Sequence, residues 1–384
     1  MSPLLYFILI FNILASSYWF WMYWNIFSRK TVKYPNYKDK VSLVVPTYNE
    51  DEKILTDTIN HVKKAKGLHE IIFVNDGSKN NVLEVLKKHN DGSYKIISYE
   101  KNQGKRHAQK LGVEKATGDI IVFIDSDTCI MKNTVPYLVR CFNNPEIAGS
   151  TANILARNRT ENILTKCLSS FYWTSSNVWR RAPSQLNYMQ VTNGQCSAYR
   201  KKYLMKLMNN YITQTFMGQK CHFSDDRWIT QQLQIRFKKQ IYYEEDAVAY
   251  TYVPNNIKQT YKMLYRWRLG AIRETFLVLK DFFKSPLLIT DVWFNFIISV
   301  MQVIIRVSLI IAIILQPIVL LYYLLAILMI SSYYALYMWF YNRKELFYRM
   351  VYSIIYEILF SWTTPHALLT LKNQGWVTRE VTEK

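Results

Sequence analysis

Two aspartates follow a short apolar run near the middle of the chain, and their spacing suits metal chemistry. Ile120–Ile124 is entirely apolar and predicts a buried strand, after which Asp125 and Asp127 follow. Residues two apart in an extended chain point the same way. Their carboxylate oxygens suit Mg²⁺ or Mn²⁺ carrying a diphosphate, as in nucleotide-sugar chemistry. Two acids after one strand more often only solvate a loop, so the surrounding sequence has to decide.

The surrounding sequence alternates short apolar runs with charged, helix-favouring stretches. Besides 120–124, the runs cover residues 41–45, 70–74 and 95–98. Such alternation predicts an α/β fold, in which a mostly parallel, Rossmann-like sheet carries helices on both faces. The carboxyl ends of these strands would then meet at one edge of the sheet, which is where open α/β sheets bind ligands.

Polar residues come directly after the predicted strands. We expect substrate-binding residues at this edge: Thr47, Tyr48, Glu50, Asp76 and Asp125. Asp76 could accept a hydrogen bond from a uracil imide, although Asn-Asp-Gly-Ser by itself is usually only a turn. Lys105 and Arg106, near the start of a helix predicted after Gly104, could meet a diphosphate.

A second pair of acids, Asp225 and Asp226, precedes a helical pattern over residues 228–236. A glycosyl acceptor hydroxyl must lose a proton as it attacks, so one of these carboxylates could be the general base. The alternative is that both acids cap the following helix, and both roles can hold together.

An aromatic, basic, amphipathic helix is predicted over residues 261–284, and it contains Arg266 and Trp267. Such a helix is ordinarily an interfacial membrane anchor. Arg266 could also stabilise a departing diphosphate, because guanidinium pairs bidentately with phosphate oxygens.

The two ends of the 384-residue chain are apolar enough to meet a membrane. Residues 4–27 carry no charge and predict a retained transmembrane helix. Residues 287–341 are long enough for two spans that turn near Gln316 and Pro317. Residues 351–371 contain a glutamate, a proline and a histidine, and we interpret them as re-entrant or interfacial slightly more readily than as a span.

Charge patterning predicts the orientation and the partners. Arg29, Lys30 and Lys33 follow the first helix, which places the next domain in the cytoplasm by the positive-inside rule. Five cysteines without metal-ligand spacing suit a reducing compartment. The net charge of +20 could serve anionic lipid, an anionic substrate or nucleic acid. The apolar segments favour membrane lipids, and we expect no nucleic-acid partner.

Taken in order, these motifs resemble those of processive family-2 membrane glycosyltransferases, and most closely class I hyaluronan synthases. The similar stretches, given by residue number, are 45–50, 75–78, 102–109, 125–128, 156–159, 193–200, 215–218, 224–227, 266–267 and 375–379. The chain departs from the family pattern at Asn75, Ser224, Met263 and Val377. At position 263 the family has glutamine in place of methionine.

The resemblance implies a GT-A-like domain and a role for each matched residue. Asp76 and Lys105 would hold UDP, Asp125 and Asp127 its metal, and Asp226 would be the catalytic base beside Asp225. Arg266, Trp267, Trp376 and Arg379 would close over the diphosphate and acceptor. Gly194 and Cys196 would lie beside the acceptor at the mouth of a membrane channel, and Arg227 would also bind substrate.

These inferences predict five regions: a transmembrane helix (1–28), a cytoplasmic GT-A-like domain (29–258), amphipathic interfacial helices (259–286), transmembrane or re-entrant helices (287–371) and a cytoplasmic tail (372–384). We expect a monomeric integral protein of the plasma membrane that uses UDP-sugars to extend and export a polysaccharide. Hyaluronan is the favoured product, from UDP-N-acetylglucosamine and UDP-glucuronate. The alternatives are chitin, poly-N-acetylglucosamine or another capsule polymer, and, more remotely, a membrane transporter with a nucleotide-binding domain.

Overall fold

The structure is a computed structural model that describes residues 3–28 and 32–373. The strands within these residues are β1 (Val41–Thr47), β2 (Glu70–Asp76), β3 (Lys95–Tyr99), β4 (Ile120–Ile124), β5 (Thr128–Ile130), β6 (Ile147–Ala156), β7 (Cys196–Arg200), β8 (Thr215–Phe216), β9 (Gln219–Lys220) and β10 (Gln240–Thr251). Eight of them form one sheet in the order β3-β2-β1-β4-β7-β6-β10-β5, and β8 and β9 form a small hairpin.

The four strands expected from the apolar runs are β1 to β4, and they pair in parallel as predicted. β6 and β10 form a further parallel pair, while β7 runs antiparallel between β4 and β6. β5, which follows Asp127 directly, pairs antiparallel with β10. The sheet is therefore mostly parallel. Its antiparallel strands β7 and β5 lie next to Asp125 and Asp127.

The helices cover both faces of the sheet and form the apolar ends of the chain. They are α1 (Pro3–Ser28), α2 (Glu52–Lys64), α3 (Val82–Lys88), α4 (Lys105–Lys115), α5 (Thr134–Val139), α6 (Ile163–Asn177), α7 (Arg181–Gln185), α8 (Lys201–Thr213), α9 (Asp225–Phe237), α10 (Ile257–Val278), α11 (Pro286–Leu315), α12 (Val319–Tyr341), α13 (Arg343–Ile355) and α14 (Thr363–Leu369).

Alternate residues of the central strands fill two separate cores, one on each face of the sheet. Leu43 and Val122 belong to the first core, and Val44 and Phe123 belong to the second. Because both faces are covered, the strands are continuously apolar rather than alternating. At Gly112, α4 lies so close to β1 that a Cβ atom would stand 2.3 Å from Cγ1 of Val44. This close approach fixes the distance between β1 and the carboxyl-terminal half of α4.

The long apolar region folds as the predicted helical hairpin, since α11 ends at Leu315 and α12 begins at Val319. Among the described residues, α11 is the one helix that is long and apolar enough to cross a membrane by length and composition. Residues 351–371 are not one continuous helix: a π-helical turn over Tyr356–Phe360 separates α13 from α14. Arg306 of α11 pairs with Glu357 in this turn through nitrogen–oxygen distances of 2.7 and 2.8 Å.

The predicted amphipathic helix over residues 261–284 is shorter at its carboxyl end than expected. α10 ends at Val278, and a 3₁₀ helix continues over Leu279–Lys284. Within that 3₁₀ helix, Asp281 has non-helical backbone angles of φ −101° and ψ 16°. The kink lets the chain turn into α11 at Pro286, a position where proline is compatible with a helix start.

Candidate active site

A cavity of about 1900 Å³ lies at the carboxyl ends of β1, β2 and β4 and continues between the apolar helices. Its lining includes nine of the predicted site residues in one group: Thr47, Tyr48, Glu50, Asp76, Lys105, Asp125, Asp127, Asp225 and Asp226. Gly194, Arg227, Arg266 and Trp267 line the same cavity. The fold therefore brings together side chains that are far apart in the sequence.

Lys105, the first residue of α4, connects the two acidic pairs. Its Nζ atom lies 2.7 Å from Oδ1 of Asp125 and 3.0 Å from Oδ2 of Asp225. Although burial lowers the pKa of Lys105, the two carboxylates raise it overall, so the amine is charged. A single cation thus stands between the end of β4 and the start of α9, where a diphosphate would need positive charge.

Asp127 lies at the same edge, next to β5 and β10. Its Oδ1 atom is 3.5 Å from the hydroxyl oxygens of Thr128 and Thr251, so both contacts are long for hydrogen bonds. Asp125 and Asp127 both face the cavity. Two carboxylates at a strand end are a hard-oxygen donor set, and they would suit Mg²⁺ or Mn²⁺.

The second acidic pair lies inside a helix rather than before it. α9 begins at Asp225, three residues earlier than predicted, so Asp225 and Asp226 occupy its first turn. The prediction that the two acids precede and cap the helix is wrong, because Ser224 is the residue before its first turn. Both acids still lie at the positive end of the helix dipole. Ser224 adopts left-handed backbone angles of φ 66° and ψ 37°, which set the direction in which α9 starts.

Burial and neighbouring charges shift the pKa values of the two acids of α9 in opposite directions. Burial raises the pKa of Asp226, and the negative charge of Asp225 raises it further. At Asp225 burial also acts upward, but the charge of Lys105 lowers the pKa overall. The backbone N–H of Arg227 donates to Oδ1 of Asp226 at 2.8 Å. One ionised acid paired with lysine and one more basic acid facing a cavity is an arrangement that suits a general base.

Gly194 makes room for this base. A Cβ atom at Gly194 would lie 3.1 Å from Oδ2 of Asp226 and 3.4 Å from its Cγ. The loop before β7 can therefore pass directly over the carboxylate, which is the close backbone approach that glycine permits.

Asp76, at the end of β2, is 2% exposed and is surrounded by donors. Its carboxylate accepts from the hydroxyl of Tyr99 (2.7 Å), the backbone N–H of Gln103 (2.8 Å) and Nδ2 of Asn102 (3.1 Å). Burial raises the pKa of Asp76, while these donors act in the opposite direction. The network ties the end of β2 to the loop that leads into α4.

Two predicted binding residues, Arg106 and Cys196, have contacts within the protein. Arg106 is 4% exposed, and its guanidinium donates to the carbonyls of Tyr211 and Phe223 and to Oε1 of Gln214. Arg106 nevertheless lines the cavity, so its contact with a diphosphate stays a prediction. Cys196 is fully buried in β7, where it pairs with Ile124, so its predicted direct contact with substrate is corrected.

The remaining predicted residues differ in their surroundings. Thr47 is buried and donates to the carbonyl of Val45 at 3.3 Å, and Glu50 accepts a short hydrogen bond from the hydroxyl of Ser126. Trp267 packs against Phe171 and Tyr172 with ring centroids 6.4 and 5.9 Å apart. The predicted Trp376 and Arg379 lie outside the described residues.

Sequence reasoning missed a group of polar cavity residues that come from α11 and from the segments before β7 and α7. They are Arg180, Gln190, Asp291, Asn295 and Gln302. Asp291 accepts from the hydroxyl of Tyr18 of α1 at 2.8 Å. Its signal was present in the sequence, since an acid inside an apolar helix-length run marks a functional position.

The sequence is similar to those of known glycosyltransferases. Residues 42–208 match the family model described as Glycosyl transferase family 2. A hyaluronan synthase of Streptococcus pyogenes is 32% identical over 256 residues, which cover 65% of this chain and 61% of that protein. An N-acetylglucosaminyltransferase of Sinorhizobium fredii is 31% identical over 246 residues, covering 62% of this chain and 59% of that protein. The chain thus matches about three fifths of the length of these relatives.

A solved structure shares the fold. A mannosyltransferase from Pyrobaculum calidifontis, in complex with GDP-Man and Mn²⁺, superposes with a TM-score of 0.65 at 16% identity. The superposition covers 91% of this chain and 98% of that one. The predicted GT-A-like fold is confirmed by this likeness.

Proposed function

On the premise that residues 42–208 form a glycosyl transferase family 2 domain, we propose that the chain is a membrane-embedded, inverting and processive polysaccharide synthase. The observation that carries the proposal is the single cavity shared by the acidic crevice and the apolar helices α11 and α12. A polymer that grows at Asp226 would have a route along polar side chains of α11 without passing through bulk solvent.

Binding of the donor rests on the crevice residues. Asp76 would accept from the uracil of a UDP-sugar, and Lys105 would pair with the diphosphate by moving from its contacts with Asp125 and Asp225. Asp125 and Asp127 would hold Mg²⁺ or Mn²⁺, which supplies positive charge to the diphosphate when bound. The metal-bound state of the archaeal mannosyltransferase supports a divalent ion here.

The transfer step is a single displacement. A hydroxyl oxygen of the acceptor forms a bond to the anomeric carbon of the donor sugar, the bond from that carbon to the diphosphate oxygen breaks, and the hydroxyl proton moves to Asp226. The raised pKa of Asp226 favours this role, because a more basic carboxylate is a better proton acceptor. Arg266, which lines the cavity, would stabilise the charge that develops on the departing UDP.

The proposed product is hyaluronan, made from UDP-N-acetylglucosamine and UDP-glucuronate. The identity to the streptococcal hyaluronan synthase supports this assignment. The identity to the rhizobial N-acetylglucosaminyltransferase supports a second candidate, a chitin-type polymer made from UDP-N-acetylglucosamine alone. The proposal places the 29–258 domain and the 372–384 tail in the cytoplasm, with a monomer as the functional unit.

The test supplies purified protein with labelled UDP-sugars singly and in pairs. A long product that requires both donors and is digested by hyaluronidase is expected. A long product from UDP-N-acetylglucosamine alone, digested by chitinase, would support the second candidate. Nucleotide-sugar turnover without any polymer would contradict processive synthesis while leaving the transferase activity in place.

A further inference from the structure

Two consecutive residues of α2, Asp57 and Thr58, form hydrogen bonds with the segment that carries Asp125 and Asp127. The hydroxyl of Thr58 donates to the carbonyl of Ser126 at 2.9 Å, and both partners are buried. The thiol of Cys129 donates to Oδ2 of Asp57 at 3.2 Å. The chain is thus attached to α2 on each side of Asp127.

Asp57 also gathers contacts from two other strand ends. Arg157, just after β6, reaches both carboxylate oxygens, with Nε 3.2 Å from Oδ2 and Nη2 3.3 Å from Oδ1. The hydroxyl of Tyr252, just after β10, donates to Oδ2 at 3.0 Å. The neighbour of Tyr252 is Thr251, whose hydroxyl lies 3.5 Å from Oδ1 of Asp127.

The chemistry of this cluster favours a mechanical role over a second metal site. Asp57, His61 and Cys129 lie close enough together to offer a cation three ligand atoms. However, Asp57 already accepts from Cys129, Tyr252 and Arg157, and its Oδ1 lies 3.2 Å from Nδ1 of His61. A carboxylate offers about four lone-pair positions, so these donors fill it. Arg157 also supplies the positive charge that a metal would otherwise bring.

We propose that Asp57 and Thr58 are positioning residues that aim Asp125 and Asp127 at the donor diphosphate and its divalent ion. The inference rests on the proposed function, because it takes those two aspartates as the metal ligands. Residues that orient metal ligands without touching the metal typically change metal affinity or activity by about 10- to 100-fold when they are replaced.

The test measures Mn²⁺ binding to the purified full-length protein in the presence of UDP, by electron paramagnetic resonance of free Mn²⁺. Asp57→Asn keeps the side-chain shape but presents an amide to Arg157, and we expect Mn²⁺ affinity to fall by about 10- to 100-fold. Thr58→Val removes the hydroxyl at nearly constant volume and should weaken Mn²⁺ binding in the same direction. Thr58→Ser keeps the hydroxyl and should bind Mn²⁺ with the affinity of the wild type.

Glu52→Gln is the matched control, since Glu52 lies on the same helix and accepts from Asn81 at 2.7 Å. It should bind Mn²⁺ as the wild type does. Mn²⁺ affinities of Asp57→Asn and Thr58→Val within twofold of wild type would overturn the inference, as would a loss of turnover at unchanged affinity. If Asp57→Asn does not fold, the Thr58 pair decides. A wild-type protein that binds no Mn²⁺ with UDP would instead overturn the metal assignment itself.

Discussion

Replacing Gly270 with alanine should disturb the proposed catalytic acids Asp225 and Asp226 through a contact at the start of their helix. Gly270 of α10 packs against Ser224, the residue before α9. A Cβ atom at position 270 would stand 1.8 Å from Oγ of Ser224 and 3.1 Å from its Cβ. The hydroxyl would have to rotate away and the start of α9 would have to shift, although Asp225 and Asp226 lie in that first turn.

The expected magnitude combines opposing effects. Overpacking of a buried contact costs about 1–3 kcal/mol. Alanine in a helix interior is more favourable than glycine by about 1 kcal/mol. The net loss of stability for Gly270→Ala is then about 0–2 kcal/mol. Activity should suffer more, because a misplacement of about 1 Å near the chemistry can cost about 10²-fold in rate.

Ser224→Gly provides the partner variant for a double-mutant cycle. It removes the atoms that the new methyl group would meet, and it relieves the left-handed backbone at φ 66°, where a non-glycine residue costs roughly 1–2 kcal/mol. The double variant should therefore recover turnover and be more stable, by about 1–3 kcal/mol, than the sum of the two single effects predicts.

Thermal unfolding in detergent and donor turnover measure the two effects, with Ser224→Ala as the matched control. Ser224→Ala removes only the atom at 1.8 Å and keeps the one at 3.1 Å, so it should rescue Gly270→Ala in large part. Strictly additive effects of Gly270→Ala and Ser224→Gly on stability and turnover would refute the packing explanation.

Four further outcomes are expected. Asp226→Asn should retain UDP binding but lose about 10²- to 10⁴-fold in transfer rate, because an amide cannot accept the hydroxyl proton; near-normal turnover would remove Asp226 from this role. EDTA should abolish activity and Mn²⁺ or Mg²⁺ should restore it, whereas full activity in chelator would contradict the role of Asp125 and Asp127. Since burial and then Asp225 raise the pKa of Asp226, and a base must be ionised, kcat/KM should already fall with acidification at a pH above the ordinary aspartate value of about 4; an acidic limb at or below that value would argue for another base. A cysteine replacing Glu383 should be labelled by an impermeant reagent only after intact cells are opened, and labelling from outside would place the tail beyond the membrane.

The part of the sheet that could be predicted is the part made of apolar runs. Ile120–Ile124 has the predicted bounds, and β1 extends its run only by Pro46 and Thr47. β6, with the sequence IAGSTANILA, was not predicted because small and polar residues interrupt its apolar pattern. Its pairing with β10 compensates for this pattern through long-range backbone hydrogen bonds that no local signal reports.

The candidate site, too, could be predicted from the sequence only in part. Carboxylates at strand ends could be predicted, since position in the topology decides their surroundings. The neighbouring Lys105 and Arg106 could not be told apart, because only the packing of α4 against α8 and the segment before α9 decides that Lys105 faces Asp125 while Arg106 faces carbonyls. Residues two apart on a strand share a side, but consecutive residues on a helix point in directions that differ by about 100°.

All five cysteines of the chain are buried: two lie in strands of the sheet, one in α6, one in a 3₁₀ helix after α5 and one beside the cavity. Burial raises the pKa of each thiol, to about 12 at Cys129 and Cys196 and to about 11 at Cys167, so the reactive thiolate is scarce at neutral pH. The native cysteines should therefore react little with thiol reagents, and they need not be removed before site-directed labelling. Fluorophores, spin labels or cross-linkers can be attached at single introduced cysteines while Cys129 stays in place behind Asp127, where a cysteine-free variant would sacrifice its contact with Asp57.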